Sequence, residues 1–168
     1  PSFDHSYADW DAVVRKVVDG QGLVDYAALK TQPGLPRFVE SLAAVSPESV
    51  ASWPREQQVA FWINAYNALT FQTILEAGVP ASIRDIKPDP WENARWDVAG
   101  RSVSLNWIEH KRLREQLREP RVHFVLVCAA RGCPALPNRA ILPEGLDAQL
   151  DRATRAFFQD ASRNRVDR

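Results

Sequence analysis

The sequence predicts an α+β fold, a mostly helical single domain with a central buried helix and a small β-sheet. Three observations predict it. Residues 57–75 carry no charge, and their apolar side chains run all round a helix. Segments on both sides repeat apolar residues at helical spacing. The strand-like segments are few and cluster in the second half. A chain of 168 residues is long enough to bury one core without staples.

Each element has its own warrant. Ser6 precedes "YADWDAVVRKVV", where Trp10, Val13, Val14 and Val17 mark one helical face. "GLVDYAALK" is short and mixed, a strand running into a helical turn. "LPRFVESLAAV" reads as a short helix with Pro36 in its first turn. The central helix follows, with Ser52 as its cap, Pro54 in its first turn, and Gly78 and Pro80 ending it. Its Asn64, Asn67, Thr70, Gln72 and Thr73 make it a poor membrane span. "RWDVAGRSVSL" predicts a β-hairpin turning near Ala99-Gly100. Ser104 then caps "LNWIEHKRLREQL", with Leu105, Ile108, Leu113 and Leu117 as the inner stripe, and Pro120 stops it. "VHFVLVC" is β-branched and apolar, which predicts an interior strand. "EGLDAQLDRATRAFF" puts Leu146, Leu150, Ala153 and Phe157 on the inner face of a last helix.

Composition narrows the partners. Basic and acidic side chains balance at 21 each, so there is no electrostatic footprint for nucleic acid or an anionic membrane. The Arg-rich "SRNRVDR" at the end reads as solvated charge. The chain has no methionine, so Pro1 is not a translation start and something upstream has been removed.

The chemistry concentrates in "HFVLVCAARGCPAL", which holds both cysteines. A disulfide across the Cys128–Cys133 loop, an inert buried Cys128 and a reactive thiol all remain open. Strand parity would put His123 on the face opposite Cys128, which argues against a shared metal. An H-x4-C-x4-C pattern has three ligands at best and lacks the usual zinc spacings, so neither metal nor cofactor is expected. His110 falls on the helix face that carries Leu113 and Leu117 and is expected to be partly buried; Glu109 points about 100° away. Asn64 and Asn67, three apart, share one face of the central helix. They either tie down neighbouring loop backbone or line a pocket and hold a substrate amide or oxyanion.

The blocks "AFWINAYNALT" (60–70), "SIRDI" (82–86), "SLNWIEHKRLR" (104–114), "EPRVHFVLVCAARGCPAL" (119–136) and "LDAQLDRATRAFF" (146–158) resemble, in order, the family called domain of unknown function 547. "FDHSYADWDAVVRKVV" with "GLVDYAALK" resembles its bacterial members. The family runs on past the last of these helices, so the resemblance implies a chain shortened at its carboxyl end. It carries no established activity. Bacterial members look exported, which implies a periplasmic or secreted protein, with the cytoplasm still open. Animal members fused to a glutaredoxin-like domain hint at thiol or glutathione chemistry. Plant members keep the asparagines matching Asn64 and Asn67 and the cysteine matching Cys128, but have serine at the position of Cys133. Their positions matching His110 and His123 are not reliably histidine. The resemblance thus puts Cys128, Asn64 and Asn67 in a common site and argues against an obligatory disulfide.

Two functions are expected from this. The first is a cysteine-thiol enzyme of hydrolase or transferase type acting on a small peptide-like, amide or glutathione-like substrate. Cys128 is its nucleophile and His110 its base, with Asn64, Asn67, Glu109, His123, Arg131 and Cys133 around the substrate. The second is a non-catalytic binding module for the same class of ligand. The partner in either case is a small molecule or short peptide; the oligomeric state stays open.

Overall fold

The structure is a computed structural model that describes residues 2–92, 96–127 and 133–160. Helix α1 (Ala8–Val17) buries Trp10, Val13, Val14 and Val17, the face its periodicity predicts. A single antiparallel bridge, Val18 to Val24, closes the turn behind it. Helix α2 (Tyr26–Leu29) is one turn long, and its Asp25 cap accepts from the Ala28 N–H. Helix α3 (Gly34–Ala44) has Pro36 in its first turn, where a missing N–H costs nothing.

Helices α1 and α3 meet where Gly34 faces Asp9 and Val13. A Cβ on Gly34 would stand 2.6 Å from the Asp9 carbonyl oxygen and 2.9 Å from Val13 Cγ2. We expect Gly34→Ala to destabilise the fold by about 1–3 kcal/mol, because backbone on one side and a core valine on the other must shift. A melting temperature equal to that of the parent chain would count against this packing.

Helix α5 (Arg55–Glu76) is the axis of the molecule. Every residue from Val59 to Phe71 is buried, on all faces. The all-round apolar pattern follows from packing on several sides: α3 lies against one face and the segment 107–116 against another. Two details differ from expectation. A separate short helix α4 (Pro47–Ser52) precedes α5, capped by Ser46. Ser52 closes α4 by donating to the Ser49 carbonyl instead of capping α5. Pro54 starts α5, and Gly78, at φ +77°, ends it with its N–H on the Leu75 carbonyl.

Strands β1 (Trp96–Val98) and β2 (Arg101–Val103) form the predicted hairpin. Its turn residues Ala99 and Gly100 both have positive φ, as a two-residue turn of this hand demands. This hairpin is the only sheet among the described residues. No helix is long and apolar enough to cross a membrane among those residues.

The segment Trp107–Gln116 is a π-helix, with the Leu117 N–H donating to the Arg112 carbonyl five residues back. Ser104 accepts from the Trp107 N–H, as predicted. Pitch decides which side chains go inside. Winding by i to i+5 puts Ile108 and Leu113 on one face, and both are fully buried. His110, assigned to that face by a 3.6-residue period, is carried outward, and its side chain is 57% exposed. The expectation of a partly buried His110 is corrected accordingly.

The segment expected as an interior strand is the largest correction. Residues Pro120–Phe124 form a 3-10 turn, started by Glu119, whose carboxylate accepts from the Arg121 N–H. Val122, Val125 and Leu126 are buried as a strand would bury them, but without a ladder. His123 is exposed, with its ring against Phe124 and Phe157, so strand parity says nothing about its neighbours. Helix α6 (Leu146–Gln159) closes the domain with Leu146 and Leu150 inward.

Candidate functional site

Asn64 and Asn67 are both buried on α5. An asparagine side chain carries the same donor and acceptor as a peptide group, so it can pair with backbone as a strand does. Asn67 donates to the Val125 carbonyl at 2.9 Å and accepts from the Val127 N–H at 2.8 Å. Asn64 donates to the Ile141 carbonyl at 2.7 Å and accepts from the Ile141 N–H at 3.0 Å. One turn of α5 therefore staples the chain just before the cysteine loop and again after it. Of the two roles expected for this pair, the loop-tying one accounts for these bonds. It also explains how Val125 and Leu126 stay buried without a partner strand: the Asn67 side-chain amide replaces the ladder.

Tyr7 lies beside this face. It is 1% exposed, and its hydroxyl stands next to Asn64 without hydrogen-bond geometry to any described residue. Burial pushes its pKa well above the usual phenol range. The segment after the staple is fixed further by Asp11, whose carboxylate accepts from the Ala140 N–H at 2.9 Å.

Within the loop, Cys128 and Arg131 lie outside the described residues. Cys133 is disulfide-bonded. Glu109 is largely buried and His110 exposed; their closest approach, 3.9 Å between Glu109 Oε2 and His110 Nε2, exceeds hydrogen-bond range. His123 sits in the aromatic cluster of α6. No group of three His, Cys, Asp or Glu side chains among the described residues is placed to hold a metal ion.

Beside the stapled segment is a cavity of about 380 Å³. Leu136 and Ile141 form its floor; Gly22, Arg139, Arg152 and Phe157 stand round its rim. Gly22 is forced here: its φ is +81°, and a Cβ would come 2.8 Å from the Leu136 nitrogen. Among the described residues the backbone of 134–139 makes no hydrogen bond. Arg139 and Arg152 have no ion-pair partner there either. Sequence reasoning missed this cavity because its walls come from the α1–α2 turn, the post-cysteine segment and α6.

A second feature was missed. Glu119, 2% exposed, accepts from Arg55 Nη2 at 3.2 Å, from Arg121 Nε and Nη2 at 2.8 Å each, and from the Arg121 N–H at 3.2 Å. Arg121 also reaches Asp147 at 2.6 Å and Asp151 at 2.9 Å on α6. The Arg121 hydrogen bonds hold the Glu119 carboxyl below its usual range, against the opposing effect of burial. The only sequence signal was an acidic residue ahead of a proline, and "LREPR" reads equally well as solvated charge.

No curated protein and no solved structure matches the chain. One family does, described as protein of unknown function, DUF547, over residues 50–158. That span runs from the end of α4 through α5, the hairpin, the stapled cysteine loop and α6, and covers more than half of the sequence. The chain belongs to the DUF547 family.

Proposed function

We propose that the protein is a binding module for a short peptide-like ligand, taken up in the cavity beside the cysteine loop. One observation carries the reading: among the described residues, a backbone at 134–139 that makes no hydrogen bond borders an apolar floor and two guanidiniums without ion-pair partners. A peptide can pair with the free C=O groups of this segment and with the N–H groups of Ala135, Leu136, Asn138 and Arg139, and Arg139 or Arg152 can take its carboxylate. The volume of about 380 Å³ suits a ligand of a few residues, glutathione included. The disulfide at Cys133 favours an oxidising compartment, in keeping with a periplasmic or secreted setting.

Calorimetric titration with glutathione and with trialanine tests the proposal. Arg152→Ala is expected to weaken binding at least about fivefold, roughly 1 kcal/mol, through loss of a charge-assisted bond. Cys128→Ser is expected to leave affinity unchanged. The reading fails if neither probe binds, or if the bound probe is turned over and Cys128→Ser abolishes that turnover. The latter result, obtained with the Cys133 disulfide reduced, would establish the thiol enzyme in its place, with Cys128 as nucleophile.

A further inference from the structure

A second cavity, of about 320 Å³, opens between the β1–β2 hairpin, α4, α5 and the π-helix. It shares no lining residue with the one beside the cysteine loop. Its walls divide by chemistry. Pro47, Val50 and Val98 form an apolar side; Trp62, Arg101 and Arg112 form a cationic one, and no described carboxylate lines it.

The cationic side is built in layers. The Arg112 guanidinium lies 5.2 Å from the ring centroid of Trp62 and 5.2 Å from that of Trp107. Arg101 lies 4.9 Å from the Trp107 centroid. The two indoles meet edge to face at 5.5 Å. Attraction to the ring faces holds both cations in place, but it leaves their in-plane N–H groups without acceptors. Neither guanidinium makes a hydrogen bond or ion pair with a described residue. Arg112 Nε and Trp62 Nε1 are buried donors with no acceptor among the described residues, and Trp62 is only 1% exposed. Buried donors are almost always satisfied, and the Arg101 charge acts on Arg112 as a like charge. Burial, and then the Arg101 charge, pull the Arg112 pKa below its ordinary value. An anion in the cavity that both line would relieve both costs.

We propose that this cavity binds an organic carboxylate with a short apolar body. Arg112 and Arg101 take the carboxylate together with the Trp62 indole N–H, and the body lies on Pro47, Val50 and Val98. A planar guanidinium fork matches the two oxygens of a carboxylate. An inorganic oxyanion would leave the apolar wall uncovered, whereas the volume lies at the lower end of that for organic ligands.

Hexanoate is the probe, hexanol its neutral control and inorganic phosphate the alternative anion. Binding is followed by tryptophan fluorescence and by the indole N–H resonance of Trp62. Hexanoate should bind saturably and move that resonance. Arg112→Ala should weaken it at least about tenfold, and Arg112→Lys should not restore it, because the fork is gone. Arg101 is exposed, so Arg101→Ala tests the charge without disturbing the core, with an expected loss of a few-fold. Arg152→Ala, at the other cavity, should change nothing, so this site and the proposed peptide site stand or fall separately. Three results overturn the assignment: no hexanoate binding up to about 10 mM, equal binding of hexanol, or tighter binding of phosphate.

Discussion

Glu119→Ala is expected to destabilise the protein by about 3 kcal/mol, the lower end for breaking a buried ion pair. The carboxylate is 2% exposed and is the common acceptor of Arg55 and Arg121. Its loss leaves Arg121 facing Asp147 and Asp151 alone and removes the cap of the 3-10 turn Pro120–Phe124. Both arginines keep partial access to solvent, at 44% and 26% side-chain exposure, which holds the cost to the lower end. A pH signature distinguishes the charge from mere packing. The folded-state pKa of Glu119 is lowered, so its stabilisation is complete above the ordinary glutamate value, near 4.3. It is lost as pH falls below that value toward the lowered one. Urea denaturation of the parent chain should show a falling acid limb in this window, and Glu119→Gln should flatten it. Parallel acid limbs in the two proteins would show that other groups supply the pH dependence.

Local pattern was enough wherever one element decides its own burial. The uncharged stretch in α5, the stripes of α1 and α6 and the Ala99-Gly100 turn are of that kind. It failed where a distant partner decides. A β-branched run such as 122–127 reads the same whether a strand or a helix amide satisfies its backbone, and here Asn67 supplies the amide from across the fold. His110 was misplaced for another reason. An apolar stripe fits a period of 3.6 well enough at Leu105, Ile108 and Leu113, and only the hydrogen bonds reveal the wider winding that turns His110 outward. Asn64 and Asn67 were legible as buried polar groups needing partners, but which partners they take is set by the fold of the whole chain.

That partnership gives the second large effect. Asn64→Ala and Asn67→Ala are each expected to cost about 3 kcal/mol, because each leaves two backbone groups in the interior without partners. For Asn64 these are the N–H and C=O of Ile141, 4% exposed. For Asn67 they are the C=O of Val125, fully buried, and the N–H of Val127, half-buried. The two sites are separate in effect although they adjoin on the helix. Asn67 anchors the segment before the cysteine loop, whereas Asn64 anchors Ile141, which floors the cavity beside 134–139. Native-state hydrogen exchange separates them: Asn67→Ala should speed exchange of the Val127 amide, and Asn64→Ala that of the Ile141 amide, each leaving the other protected. Asn→Asp at either position should be no milder, since it keeps the acceptor but loses the donor and buries a charge. Unchanged stability in both alanine variants, with the Val127 and Ile141 amides still protected, would mean that α5 does not hold the loop. The cysteine segment would then need another anchor.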